Sequence, residues 1–250
     1  MQHGDYQVAS SRNVQGLSKE TWRKVIQAIE DSIPLYDHVN DLISFGKAQI
    51  ARIYAVENLR LNDGSVVLDG GIGPGTTSRL IFAKIKPSML IGLDGSVRQL
   101  EAARMNLVEY RGLLQLVNAS FEYLPFRWNV LDGIITCYAL RDSLDLSRSI
   151  SEYSRVCSEQ GVFADVDIGK SDDLIKRVIS VLYVKYFMPL LAKMAIRHQM
   201  KSNPWRMIAP TYDTLPPNRL LLEMVQRYFP KIQAKEFLNG GIIVILSRKF

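Results

Sequence analysis

The chain has 250 residues, a mass of 28.4 kDa, a formal net charge of +6 and a pI near 9.3. Its hydrophobic share of 47% supports a sizeable core and excludes general disorder, and the length fits one domain with insertions. Two unpaired-looking cysteines, Cys137 and Cys157, and three scattered histidines, His3, His38 and His198, argue against a disulfide framework and against a zinc cluster, so no metal is expected. The excess of base suits nucleic acid or an anionic membrane surface, and charge alone does not choose between them.

Taken in chain order, residues 1–17 are polar and read as a loosely docked arm. Ser18 is placed to cap a helix, with Trp22, Val25, Ile26 and Ile29 on one face. Pro34 interrupts, the stretch Tyr36 to Gly46 follows, and a second helix is expected from about Lys47 to Glu57 before the turn at Asp63-Gly64. These segments should cover the mouth of what comes next.

Val66 to Leu68 reads as a buried strand ending in Asp69, with glycines at 70, 71, 73 and 75 and a helix-forming stretch from Ser78 to Ala83. Strand, glycine-rich turn and helix form the first half of a nucleotide-type crevice, where a ligand lies on bare backbone and helix amides face its anionic group. A dinucleotide site asks for G-x-G-x-x-G. Here the pattern is Asp69-x-Gly71-x-Gly73-x-Gly75. A second strand, Met89 to Asp94, ends in another acid, which as an ionised acceptor suits both hydroxyls of a ribose.

Beyond it, Ser96 caps a helix to about Tyr110, and Leu114 to Val117 is a third strand. Phe121 to Phe126 connects to a fourth strand, Val130 to Tyr138. A helix from Ser147 to Val156 and a fifth strand, Gly161 to Ile168, bounded by a turn at Gln160-Gly161, continue the alternation. That alternation points to an open, mostly parallel sheet with helices on both faces. Leu174 to Met200 breaks the rhythm: it is apolar and helical in pattern, carries Lys176, Arg177, Lys185, Lys193 and Arg197, and should kink or split at Pro189. After a proline-rich connection, Asn218 caps a last helix to Tyr228, and Asn239-Gly240-Gly241 turns a terminal hairpin, Lys231 to Leu238 with Ile242 to Ser247. With no leader pattern and no uninterrupted run of about 18 apolar residues, a cytoplasmic location is expected.

The Asp69-to-Gly75 pattern with Asp94 resembles the first motifs of class I S-adenosylmethionine-dependent methyltransferases. Further motifs narrow the resemblance. Tyr36-Asp37-x-Val39-Asn40-x-x-Ile43-Ser44 is similar to the N-terminal signature of the ubiquinone/menaquinone-biosynthesis C-methyltransferases. Leu124-Pro125-Phe126 with Leu131-Asp132, Leu140-Arg141-Asp142 at the family's Leu-Arg-Asn, and Arg155-Val156 with Gly161 and Asp167 fall in the same order. The similarity spans roughly residues 35–250. Departures mark a divergent member: Ala48 and Ala51 replace a usual His and Trp, Pro74 a Thr, and Ser120 an Asp or Asn. Gln160-Gly161 stands for a Gly-Gly pair.

The resemblance implies a Rossmann-like α/β fold: an open, doubly wound, seven-stranded and mostly parallel sheet closed by a C-terminal antiparallel hairpin. It divides one methyltransferase domain into an arm and helical cap (1–61), a cofactor-binding core (62–169), a helical lid (170–215) and the last helix with the hairpin (216–250). S-adenosyl-L-methionine is the implied cofactor. Gly71, Gly73 and Gly75 would admit its methionine part, Asp69 its ammonium, and Asp94, with Gly95 beside it, the ribose. Phe121 would lie on the adenine or simply pack in the core, with Ser120 at the amino edge. Cys137 would line the methionine side or be a buried thiol, and Tyr36 would close over the cofactor or pack the N-terminal segment. Arg141 and Asp142, at a strand tip, are the catalytic candidates on the substrate side.

The implied reaction is C-methylation of a lipid-soluble quinol precursor. Another lipid or small molecule, RNA, or a non-catalytic role in a quinone-synthesis complex stay open as alternatives. No Asn-Pro-Pro-Tyr-type motif is present, and no nucleic-acid partner is expected. The basic, apolar stretch from Leu174 to Lys201 suits peripheral contact with an anionic membrane, or a core-packing or homodimer-forming helix pair.

Overall fold

The computed structural model describes residues 16–197 and 199–250. Most of the expected arm, with His3, and also His198, lies outside them. Gly16 and Leu17 do not belong to a loose arm: Leu17 is buried, and its amide donates to the Ser143 carbonyl at 3.0 Å.

Helix α1 (Lys19–Ser32) starts where Ser18 accepts the Thr21 amide, and a one-turn 3-10 segment carries Pro34. The signature stretch forms a helix the sequence pattern did not announce, α2 (Tyr36–Ile43), followed by α3 (Lys47–Asn58). The core is then laid down as β1 (Val66–Gly70), α4 (Thr76–Lys84), β2 (Met89–Asp94), α5 (Val97–Asn106), β3 (Leu114–Asn118), β4 (Leu131–Cys137), α6 (Leu146–Val156) and β5 (Cys157–Ile168). The Gln160-Gly161 pair does not bound the fifth strand. β5 runs through it, and its register with β4 shifts between Leu131 and Gly133, an irregularity that absorbs the glycine.

The insertion is α7 (Leu174–Leu182), a π turn (Tyr183–Phe187) and α8 (Met188–Ile196) in unbroken succession. The proline-rich connection holds a further helix, α9 (Ile208–Thr214), before α10 (Asn218–Gln226). Asn218 is not the cap of α10. It is buried as the first helical residue, and its amide bonds the Glu236 carboxylate and the Gly240 carbonyl while its oxygen accepts from Lys170 N, tying the insertion to the hairpin. The hairpin is β6 (Lys231–Phe237) and β7 (Ile242–Arg248).

One seven-stranded sheet has the order β3-β2-β1-β4-β5-β7-β6, parallel except where β7 runs against β5 and β6. Alternate strand residues serve opposite faces. Val67, Leu90, Ile135 and Val244 meet Ala51, Ala55, Ile81 and Leu100 on one side; Leu68, Leu93, Phe163 and Ile243 meet Ile150, Tyr153, Leu221 and Val225 on the other. Chain order reverses between β1 and β4. Open α/β sheets form their ligand crevice at that point, beyond the strands' carboxyl ends.

A third cluster lies outside the sheet. Val39 and Ile43 of α2 pack with Val184, Met188, Ala192 and Ile196 of the insertion and with Trp205 and Tyr212. Trp205 Nε1 donates to Asn40 Oδ1 at 2.9 Å and Tyr183 Oη to the Ile43 carbonyl at 2.6 Å. The N-terminal signature is thus the floor on which the insertion sits.

Candidate active site

β1 and β2 deliver their two acids to neighbouring positions with different surroundings. Asp69 is fully buried; Ser78 Oγ donates to its Oδ2 at 2.7 Å, and its Oδ1 has no partner. Burial pushes this carboxyl up to about 6, against the pull of the Ser78 hydrogen bond. Asp94 clasps the glycine loop: Oδ2 accepts the Gly73 amide at 3.0 Å and Oδ1 the Ser96 amide at 2.9 Å. Burial again raises it to about 6, while the backbone amides hold it back. Each oxygen keeps lone pairs for a further donor.

The glycines divide by role. Gly73 sits at φ +54°, and a Cβ there would meet nothing nearer than Gln99 Oε1 at 3.9 Å, so bare main chain faces open space. Gly75, at φ +94°, begins α4, and a Cβ there would press on Leu107 at 2.7 Å; it is a packing and helix-entry glycine.

Tyr36, Gly71, Gly73, Asp94, Gly95, Ser120, Phe121, Cys137, Arg141 and Asp142 come together around one cleft of about 90 Å³, roofed by Trp22, Ile26 and Ile29 of α1. Asp69 and Gly75 are not on its wall. Burial pushes the Cys137 thiol up to about 12, so it stands there as a neutral group.

A larger and mostly apolar cavity of about 280 Å³ adjoins this cleft. α1, α2, the insertion and α9 enclose it with side chains such as Ile43, Ile179, Val184, Met188 and Trp205. Tyr36, Tyr138, Arg141 and Asp142 belong to both walls.

At this junction Arg141 is less free than a strand-tip pair suggests. Its Nη1 donates to Asp167 Oδ1 at 2.7 Å and its amide to Asp167 Oδ2 at 3.0 Å, which locks the turn after β4 onto the tip of β5. Its Nε stands 3.7 Å from Asp142 Oδ1, beyond hydrogen-bond reach, and both atoms are buried without partners. Burial raises the Asp142 carboxyl to about 7, with Arg141 holding it down and Asp167 pushing it up. For Arg141, burial works against the charge, but Asp142 and Asp167 outweigh it and raise the guanidinium.

Three residues here were not anticipated as site residues. Tyr138 follows β4 in a left-handed backbone (φ +60°) and donates its hydroxyl to the Ala48 carbonyl at 3.0 Å. Asp167 anchors Arg141. Arg52 lies buried in α3 with its guanidinium 5.4 Å from the Tyr138 ring centre. One signal was legible: Arg52 falls among Ala48, Ala51 and Ala55 on the helix's buried face.

The model of the ubiE/COQ5 methyltransferase family matches residues 15–247. A relative from Syntrophotalea carbinolica, named ubiquinone/menaquinone biosynthesis C-methyltransferase UbiE, is 25% identical over 86% of this chain and 89% of its own. A demethylmenaquinone methyltransferase from Staphylococcus haemolyticus is 25% identical over 92% and 95%. Among solved structures, an S-adenosylmethionine-dependent methyltransferase from Aquifex aeolicus shares the fold with a TM-score of 0.53 at 13% identity, over 80% of this chain and 89% of that one. The family match spans nearly the whole chain, and the sheet order and motif positions agree with it: the chain belongs to the ubiE/COQ5 methyltransferase family and is a methyltransferase of the S-adenosylmethionine-dependent class.

Proposed function

We propose that this enzyme methylates a ring carbon of a lipid-soluble quinol, with the donor in the smaller cleft and the ring in the apolar cavity. The observation that carries the reading is the shared wall: Tyr36, Tyr138, Arg141 and Asp142 border both spaces, so ligands in the two would meet there. The cleft's residues fit the donor. Asp94 has acceptor capacity for ribose hydroxyls, Gly73 leaves main chain uncovered while Gly71 lets the turn pack against Ala139, and the buried Gln99 Oε1 on the cleft wall lacks a partner. Phe121 and Ser120 suit a purine face and its amino edge, Cys137 the thioether side, and Asp69 and Gly75 support the loop from behind.

When bound, the cofactor supplies an electrophilic methyl on a sulfonium. The protein's part is alignment, exclusion of bulk water from the donor and control of the hydroxyl proton. Asp142, near 7, takes the proton of a ring hydroxyl, and the adjoining carbon becomes nucleophilic. Once that carbon carries the methyl, its own hydrogen leaves as a proton to solvent as the ring regains its aromatic form. Arg141, held by Asp167, sets a fixed positive charge beside the phenolate. The cap and the insertion close over both.

Contact with a membrane belongs to the same reading. Leu174, Val178, Leu182, Tyr186, Leu190 and Met194 are each 47–70% exposed and form a row at four-residue spacing, with Lys176, Lys193 and Arg197 exposed near them. The helix run Leu174–Ile196 has a mean hydropathy of 1.5 and is long enough to cross a bilayer. Its opposite row, Val184, Met188, Ala192 and Ile196, is packed on the protein, which favours lying in the interface at the cytoplasmic face.

Purified protein incubated with labelled methyl donor and a short-tailed demethylquinol, in parallel with RNA, tests the acceptor. Label in the quinol is expected. Label in RNA alone, or in neither, would overturn the reading.

A further inference from the structure

α3 buries Ala48, Ala51, Arg52, Ala55 and Val56, a row of small apolar residues with one cation in it. Arg52 is only 5% exposed. A guanidinium so far from water is costly unless an anion compensates it. Among the described residues no carboxylate stands within ion-pair distance of Arg52. Its Nη1 donates to a neutral amide, Gln49 Oε1 at 2.6 Å, and its Nε is buried without a partner. Asp37, which shares a pocket with it, is already bonded by Thr76 Oγ1 at 2.8 and 3.0 Å.

The place of this charge is as telling as its isolation. The guanidinium lies over the Tyr138 ring, and its field reaches Tyr36, Cys137 and Tyr138, three residues of the donor cleft. It also borders the pocket containing Thr76, the first residue of α4, at the positive end of that helix. Asp69, at the tip of β1 and within reach of the same field, is its mirror image: a buried acid whose Oδ1 has no partner. A buried cation short of a partner beside the cleft complements the carboxylate of an amino-acid end, while Asp69 stays behind the loop.

We propose that Arg52 is the counter-charge for the carboxylate at the amino-acid end of the methyl donor. This rests on S-adenosylmethionine being the donor. Arg suits the role because its planar fork meets a carboxylate with two parallel hydrogen bonds. Without ligand the charge destabilises the fold, and with ligand it is neutralised.

The test is calorimetric binding of two nucleosides, S-adenosylhomocysteine and 5′-methylthioadenosine, which lacks the amino-acid end. Wild type, Arg52→Met and Arg52→Lys are compared. Arg52→Met should weaken S-adenosylhomocysteine by about 10- to 100-fold, the span of a charged hydrogen-bonded contact, and leave 5′-methylthioadenosine within about twofold. Arg52→Lys should lose less, about three- to tenfold, with the same selectivity. The ligand-free Arg52→Met protein should melt no lower than wild type. If Arg52→Met does not fold, a structural role is indicated and Arg52→Lys decides: selective loss sustains the proposal, equal or absent loss ends it. A wild type that binds neither nucleoside overturns the donor assignment and this proposal together. A wild type that binds both, with variants that lose them equally or not at all, overturns the role of Arg52 alone.

Discussion

Asp142 shows how one side chain's surroundings set its chemistry. An ordinary aspartate titrates near about 3.9; this one, buried between Arg141 and the wall of two cavities, sits at about 7. If it takes the substrate's proton it must be ionised, so kcat/KM should rise with pH through about 7 and then level. Asp142→Asn should remove that rise. Stability moves the other way. Below about pH 4 the carboxyl is protonated in both states; as pH climbs, the unfolded chain releases its proton first, and the folded form loses ground until about pH 7. Thermal melts between pH 4 and 8 should therefore show wild type losing stability relative to Asp142→Asn. A parallel course of the two proteins would contradict the environment described for Asp142. The residue pair Arg141-Asp142 was legible at its strand tip, but the lock from Asp167 was not: the two positions are 26 apart in sequence, and only the pairing of β4 with β5 joins them.

At the scale of elements, the insertion carries two apolar faces where one would suffice for a core helix. Pro189 offers no amide to the turn before it, and the helix does not split there; the π turn Tyr183–Phe187 takes up the mismatch and the run continues. Charge and hydropathy alone read this segment equally well as lid, core or dimer helix, because periodicity does not say which face is covered. The other misread elements share that cause. Asn218 looks like a cap until the hairpin supplies its partners, and Gln160-Gly161 looks like a turn until β4 pairs across it. If the outer face touches lipid, Ile175→Glu with Leu190→Glu should cut retention on anionic vesicles by roughly tenfold or more, since each side chain withdraws over 1 kcal/mol of apolar transfer. Both side chains are more than half exposed, so melting should change by only about 0.5 kcal/mol or less each. Equal flotation of variant and wild type would remove the membrane face.

For the molecule as a whole, the strand-loop-helix motif at Asp69 to Gly75, the acid at Asp94 and the terminal hairpin made the fold readable from the chain. Each is a local pattern, and local patterns survive in sequence. The second cavity was not readable, because it is assembled from α1, α2, the insertion and α9, segments brought together only by tertiary packing. Its position beside the donor cleft is what turns a shared fold into a stated reaction, and it makes the acceptor's reacting atom the central claim. The direct measurement is nuclear magnetic resonance of the product formed from isotope-labelled methyl donor and a demethylquinol by the purified enzyme. The account requires the label as a methyl on ring carbon; a methoxy signal, or an unlabelled quinol from an enzyme that binds the donor, would contradict it.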